Sequence, residues 1–313
     1  LEGFELLAPT GLRISLHAET ASIMAHRQAR LEEVGRNDPL AHIAARPAVV
    51  AAEAVSRAAV LAEWTGARIH VLHISSALEL GPLAAAKARG VDVTGETCPC
   101  YLLLSTADYA RLGSVIRVNP PVREAADAEA IWRALETGIV DMIATDHAPH
   151  QPEEKTKAVI WQADCGFPGV ETQMPLMLTQ VAAGRLTLEH YVRLAAEAPA
   201  KAFGLWPVKG RIAVGTLAAL VAPRARSVTC LDRRETVRAQ ALHSRGKVTP
   251  FEGATTVGAP VHTLVRGRFV QRDRALVAGT AGHGRQVTAI QRMPAPAPRH
   301  TDQTLAAVTE AAR

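Results

Sequence analysis

Aromatic residues are scarce in this 313-residue chain: Phe, Tyr and Trp together make up 4%. A nucleic-acid groove needs a basic stripe interleaved with aromatics. Here 35 Lys and Arg alternate with 30 Asp and Glu and never form a block, so the net charge of +5 implies no nucleic-acid partner. Cysteine is also rare. Cys98, Cys100, Cys165 and Cys230 are too few for a disulfide scaffold of this length. Cys98-x-Cys100 lacks the two-residue spacer of a zinc knuckle or redox pair, so reduced thiols in a cytoplasmic protein are expected. No apolar run approaches the ~18 residues of a membrane span, which predicts no membrane partner. The opening LEGFELLAPTG has neither a basic region nor a cleavage site, so no signal peptide is expected. It reads as the end of a helix and does not begin with Met.

What is abundant is Ala with branched aliphatics: 48% of residues are hydrophobic and 21% charged, enough for a large core. Short β-branched runs at 12–17, 68–74, 91–97 and 140–145, with a weaker one at 115–118, alternate with helical patterns at 47–64, 77–89 and 125–136. Repeated strand–helix units predict an α/β fold with a parallel sheet and helical crossovers. Further helices are expected at 170–183, 188–196 and 199–205. After Pro207 the texture changes to a glycine-flanked strand at 209–215 and a hairpin pattern at 257–270. The expected organisation is 1–206 as an α/β portion, 207–290 as a small β-domain and 291–313 as a loose Pro/Ala-rich tail.

Three strand ends carry metal-type side chains: His17 in LHAET, His73 in VLHISS and Asp146 in ATDHAPH. In a (β/α) barrel, catalytic residues gather at the carboxyl ends of the strands. Two imidazoles and a carboxylate suit Zn²⁺ or a similar divalent ion with positions left for water. A lone strand-end histidine is more often structural; three such residues at matching ends favour a site. His70 is mid-strand and expected to pack against a helix. His26, His42, His190, His243, His262, His283 and His300 show no evident partner. His150 shares the loop of Asp146 and is a candidate substrate hydrogen-bond donor, whereas His147 is expected to orient Asp146 or the loop.

LHAET, VLHISS, GETCPCYLLL, RVNPPVRE, DMIATDHAPHQPEEK and CGFPGVET, followed by HSRGKVTPFEG and VRGRFV, occur in an order and spacing that resembles the cyclic amidohydrolases: dihydroorotase, allantoinase and dihydropyrimidinase (hydantoinase). The likeness runs from about residue 4 to 285. It implies the second half of a (β/α)8 barrel followed by a small β-domain, and a binuclear metal hydrolase using two divalent ions, usually zinc. His17 and His73 would match imidazole ligands of one ion. Asp146 would match the carboxylate on the other and the group that moves the proton. Asn119, His150, Phe167, Pro168 and Gly169 match positions that hold the substrate ring. Asn119 reads equally well as a turn before two prolines. DHAPH followed by PEEK implies a dihydroorotase-like substrate, with allantoinase or dihydropyrimidinase as the alternative.

Against the family pattern, the chain has no His-x-His, and none of its six lysines sits at a strand end to bridge two ions. TCPCY places Cys100 where the family has His, a position that is not a ligand, and GTLAAL has lost both acids of the family's last β-segment. The resemblance therefore starts just before the fifth barrel strand. It implies a fragment, a split subunit completed by a partner chain, or a homo-oligomer. An inactive homologue serving as an assembly subunit is the reading from another class. The chain alone is expected to hold at most one ion, weakly, without appreciable hydrolysis.

Overall fold

A computed structural model describes residues 1–211 and 225–287, with side chains described outside 225–230. Strand and helix alternate along the first part. α1 (Glu2–Leu7) leads into β1 (Arg13–Leu16), then α2 (Ala21–Glu33), α3 (Pro39–Ala45), α4 (Ala48–Thr65), β2 (Arg68–Val71), α5 (Ala77–Ala88) and β3 (Val93–Thr97). α6 (Pro99–Leu103), α7 (Tyr109–Leu112) and α8 (Ala125–Thr137) precede β4 (Met142–Ile143). α9 (Pro152–Lys155), α10 (Val170–Ala182), α11 (Leu188–Val192) and α12 (Ala198–Ala202) complete this part. The four strands form one parallel sheet in the order β1-β2-β3-β4.

Composition explains the layers. α4 buries Ala51, Ala54, Val55, Ala58, Ala59 and Ala62 at helical spacing, so small side chains let it lie close against α5 and β2. It stops at Gly66, whose left-handed φ of 73° costs a residue without Cβ little. In β2, Ile69, His70 and Val71 are buried on both faces, as a covered parallel strand requires. Ile69, Val71, Ile74, Leu83, Ile131, Leu135 and Met177 belong to one continuous core. At the amino ends of the strands Arg13 stitches the sheet, donating to the Ile69 carbonyl (2.9 Å), to Asp92 (2.7 Å) and to the Ala202 carbonyl (2.9 Å). Those contacts leave the carboxyl ends free for other work.

The second sheet is antiparallel: β5 (Ala225–Thr236), β6 (Thr255–Val265), β7 (Arg268–Arg272) and β8 (Ala275–Leu276), in that order. It rests on α10. The Val257 amide donates to the Thr179 hydroxyl (2.8 Å). A Cβ on Gly258 would stand 2.8 Å from that of Leu178, so only glycine allows this approach.

Several expectations are corrected. Residues 115–118 form no strand; Gly113–Ile116 is a 3₁₀ turn, because Gly113 at φ 56° and the prolines at 120 and 121 leave no extended run to pair. The pattern at 188–196 is a short α11 followed by a π-helical turn at Arg193–Glu197 before α12. The 257–270 hairpin is present as β6 and β7, turning at Arg266 and Gly267. Of the strand expected at 209–215, residues 209–211 are not extended into one and the rest lies outside the described residues, as does the tail from Met293. No helix among the described residues is long and apolar enough to cross a membrane.

Candidate active site

The carboxyl ends of the parallel strands converge as the residue pattern requires. His17 follows β1 directly, His73 lies two residues beyond β2 and Asp146 three beyond β4. Parallel pairing with Leu16 opposite Val71, and Thr97 opposite Ile143, puts all three on one rim. His17 Nδ1 lies 2.9 Å from His73 Nε2, with the rings edge to face at 72°. The strand-end reading thus brings both imidazoles together.

Burial, then the neighbouring His17, lowers the His73 pKa to about 4, while Glu19 acts in the opposite direction. The ring is therefore neutral near pH 7, with one bare nitrogen able to coordinate. Its Nδ1 is buried and lacks a hydrogen-bond partner among the described residues. The Asp146 carboxyl stands at the open rim, yet the surrounding protein raises its pKa above the ordinary carboxylate value. Desolvation is the main cause and Glu96 the next, opposed by His17. Both His73 (φ 40°) and Asp146 (φ 44°) occupy the left-handed region.

Two imidazoles facing one another, His17 through Nδ1 and His73 through Nε2, fit a divalent ion of the borderline class that takes nitrogen ligands. Cys98 and Cys100 do not add to that set. The hydrogen bond that the Cys98 thiol donates to Cys100, with burial, pushes its pKa well up, and an uncharged thiol is a poor ligand. Cys98, Cys100 and Cys165 are all free.

The remaining expected residues surround the rim. Asn119 precedes Pro120, and its Oδ1 is buried without a partner among the described residues. Phe167 and Pro168 are buried beside Gly169. His147 Nδ1 accepts from the Gly169 and Val170 amides, both at 3.1 Å, and so ties the Asp146 loop to the start of α10. His150 Nε2 donates to the Cys165 carbonyl (3.1 Å), and its Nδ1 faces Glu154 and Asp164 at 3.6 and 3.7 Å. That leaves His150 already engaged within the loop.

Sequence reasoning missed the carboxylates around these histidines. Glu19 Oε2 meets His17 Nε2 at 2.9 Å and also pairs with Arg46. Glu96 Oε2 meets His70 Nε2 at 3.0 Å, while His70 Nδ1 meets the Thr94 hydroxyl at 2.8 Å. His70 is thus hydrogen-bonded as well as packed against Phe203. The signal for Glu19 was its place two residues after His17; Glu96 lay in the quoted GETCPC segment without a role. Partners also exist for His42 (Val118 carbonyl), His190 (Arg193), His243 (Glu171), His262 (Asp273 amide) and His283 (Val265 carbonyl), which sequence left alone.

A parallel sheet with imidazole and carboxylate donors gathered at its carboxyl rim is suited to metal-assisted hydrolysis. The amidohydrolase family model matches residues 10–270, and the chain belongs to that family. It is 37% identical over 290 residues to an L-hydantoinase of Paenarthrobacter aurescens, covering 92% of this chain and 62% of the relative. It is 34% identical over 284 residues to an allantoinase of Rubrobacter xylanophilus, covering 90% and 61%. Among solved structures, L-hydantoinase (dihydropyrimidinase) from Arthrobacter aurescens superposes with a TM-score of 0.83 at 36% identity, covering 88% of this chain and 60% of that one. The chain therefore spans about three fifths of the length of the relatives it matches.

Proposed function

We propose that this chain carries part of the active site of an enzyme that hydrolyses the C–N bond of a cyclic amide, a hydantoin or dihydropyrimidine ring. The observation that carries the reading is the pairing of His17 Nδ1 with His73 Nε2 on the rim that also bears Asp146. Residues 1–206 would be the second half of a (β/α)8 barrel, with 207–290 a small β-domain. The names of the relatives above support a hydantoin or dihydropyrimidine ring first and allantoin next. Dihydroorotate is the alternative that DHAPH followed by PEEK suggests, and none of those relatives bears that name.

His17 and His73 would hold one divalent ion, zinc in this proposal, and Asp146 would serve a second. A bound ion of this kind supplies Lewis acidity towards the amide carbonyl and lowers the pKa of a water ligand. The chain's own residues would do the rest. Asp146 would accept the proton of the attacking water and return it to the ring nitrogen as the C–N bond breaks. Asn119, with its unpartnered Oδ1, would meet an N–H of the ring. Phe167, Pro168 and Gly169 would wall the ring off from water, and His150 would close the loop above it. The rest of the site would come from the remainder of a longer chain, from a partner chain or from a second copy.

Zinc titration of the purified chain tests the reading. Stoichiometric binding that disappears in both His17→Ala and His73→Ala is expected; binding unchanged by those substitutions overturns it. Turnover of hydantoin, dihydrouracil, allantoin and dihydroorotate by the metal-holding assembly would rank the substrates.

A further inference from the structure

We propose that Glu19, held in place by Arg46, is a positioning residue that fixes His17 with Nε2 protonated and Nδ1 bare towards the ion. The role for that ion rests on the reading of His17 and His73 as paired ligands. The hydrogen-bond geometry points to Glu19 without it.

An ionised carboxylate only accepts hydrogen bonds. Glu19 Oε2 sits 2.9 Å from His17 Nε2, so that nitrogen carries the proton and Nδ1 keeps its lone pair. The next contact fits the same assignment. His17 Nδ1 lies 2.9 Å from His73 Nε2, a spacing that two bare nitrogens would not hold. In the metal-free chain His73 therefore donates through Nε2, which leaves its Nδ1 bare. This is the buried nitrogen that has no partner among the described residues. One direction of donation thus runs from His73 through His17 to Glu19. To hold an ion between the rings, His73 would have to shift its proton from Nε2 to the bare Nδ1, whereas His17 would already be in the tautomer it needs.

The anchor is buried where the ring is partly exposed. The His17 side chain is 43% exposed, whereas that of Glu19 is fully buried. Arg46 Nη1 pairs with the same Oε2, and its own side chain is largely covered. The Arg46 carbonyl accepts from Arg123 Nη1 at 2.8 Å, and Arg123 Nε meets the Ser75 hydroxyl at 3.2 Å. Ser75 lies two residues after His73. Its amide and hydroxyl both go to Glu79 Oε2, at 3.0 and 3.1 Å, and the Ser76 hydroxyl joins them at 2.8 Å. The loops bearing the two imidazoles are therefore keyed to one buried polar framework, which sets the angle between the rings. Partners of this kind orient ligand histidines and lock their tautomer.

The test uses the 313-residue chain, near pH 8, with two readouts. Long-range proton–nitrogen correlation on the metal-free wild type reads the tautomer directly. Protonated Nε2 and bare Nδ1 on His17 are expected; the opposite tautomer overturns the proposal without any variant. Glu19→Gln keeps the size but offers an amide that can donate, and should mix or invert the His17 tautomer. Zinc affinity, measured by titration, should then fall about 10–100-fold, and Glu19→Asp should recover part of the loss. Affinity within twofold of wild type, with His17 nitrogen shifts unchanged, overturns the proposal. If Glu19→Gln fails to fold, the wild-type tautomer decides alone. If the wild type binds no zinc, the ligand reading fails instead, and the nitrogen shifts still decide whether Glu19 sets the tautomer.

Discussion

His42 should make the fold acid-labile well above the pH at which most carboxylates titrate. It lies in α3, 1% exposed, with Nε2 donating to the Val118 carbonyl at 3.0 Å. Burial lowers its pKa to about 3, and the positive charges of Arg117, Arg46 and Lys155 add to the effect. The unfolded chain, with an ordinary pKa of ~6.5, takes up this proton long before the folded protein does. Stability must then fall as pH falls below ~6.5, at about 1.4 kcal/mol per pH unit once the unfolded imidazole is fully charged. Between pH 7 and pH 5 the loss from His42 alone is about 2 kcal/mol. Urea unfolding at the two pH values, for wild type and His42→Gln, measures it. His73, also lowered by burial, contributes equally to both proteins and cancels in the difference. The variant should lose about 2 kcal/mol less than wild type over this range. Equal losses would show that His42 is protonated in the folded protein and that its burial carries no such cost.

Asp146→Asn should lower turnover of the competent assembly at least ~100-fold while circular dichroism stays unchanged, since a carboxamide cannot accept and return a proton and Asn tolerates the left-handed φ of this position. Comparable turnover would remove Asp146 from the mechanism. Gly169→Ala puts a Cβ 2.6 Å from the Thr145 carbonyl oxygen, next to Asp146; an overpacking loss of about 1–3 kcal/mol should appear in urea unfolding, and zinc binding should weaken with it. Ile69→Ala, at a fully buried position between β1 and β3, should cost about 2–5 kcal/mol by the same method.

The elements legible in the sequence are those whose pattern reports burial. α4, α5 and α8 alternate buried Ala, Val and Leu with polar residues, and their observed bounds fall within a residue of the periodic stretches. α2 fully buries none of its residues; Ile23, Met24 and Leu31 are only half-buried, and Gln28 interrupts their stripe, so little announces the helix. β5 passes unnoticed because its second half, LDRRET, is charged and exposed where a hydrophobic alternation would be expected. The same distinction applies to the site. His17, His73 and Asp146 each end a strand, and a parallel sheet brings such ends together whatever lies between them. The Arg46–Glu19 and Arg123–Ser75 contacts join residues 27 and 48 positions apart, which no local pattern encodes. The hydrogen bonds of His70 and His42 were hidden for the same reason, since their partners lie 24 to 76 residues away.

Backbone strain gives an independent reason to place function at this rim. Five described residues other than glycine have positive φ; Arg266, Asp273 and Arg274 lie in the turns of the antiparallel sheet, while the other two are His73 and Asp146. Left-handed backbone is uncommon outside glycine, although His and Asp enter it more readily than most residues, and neither strand end lies in a hairpin that requires it. Both follow a parallel strand at the point where the chain leaves the sheet. Around His73 the cost is offset by bonds that hold the backbone on either side. The Leu72 amide donates to the Leu16 carbonyl (3.1 Å) and the Ile74 amide to the Glu96 carbonyl (2.6 Å). The Thr97 hydroxyl returns to the Ile74 carbonyl (2.9 Å). Before Asp146, the Ala144 amide is fixed to the Thr97 carbonyl (2.8 Å). Such strain persists only where the surroundings over-determine it, and such residues cluster at sites of binding and catalysis. β3 thus serves both neighbours: its end fixes the strained turn of β2 on one side and the approach to that of β4 on the other, and it sets the imidazole of His73 and the carboxylate of Asp146 on one frame.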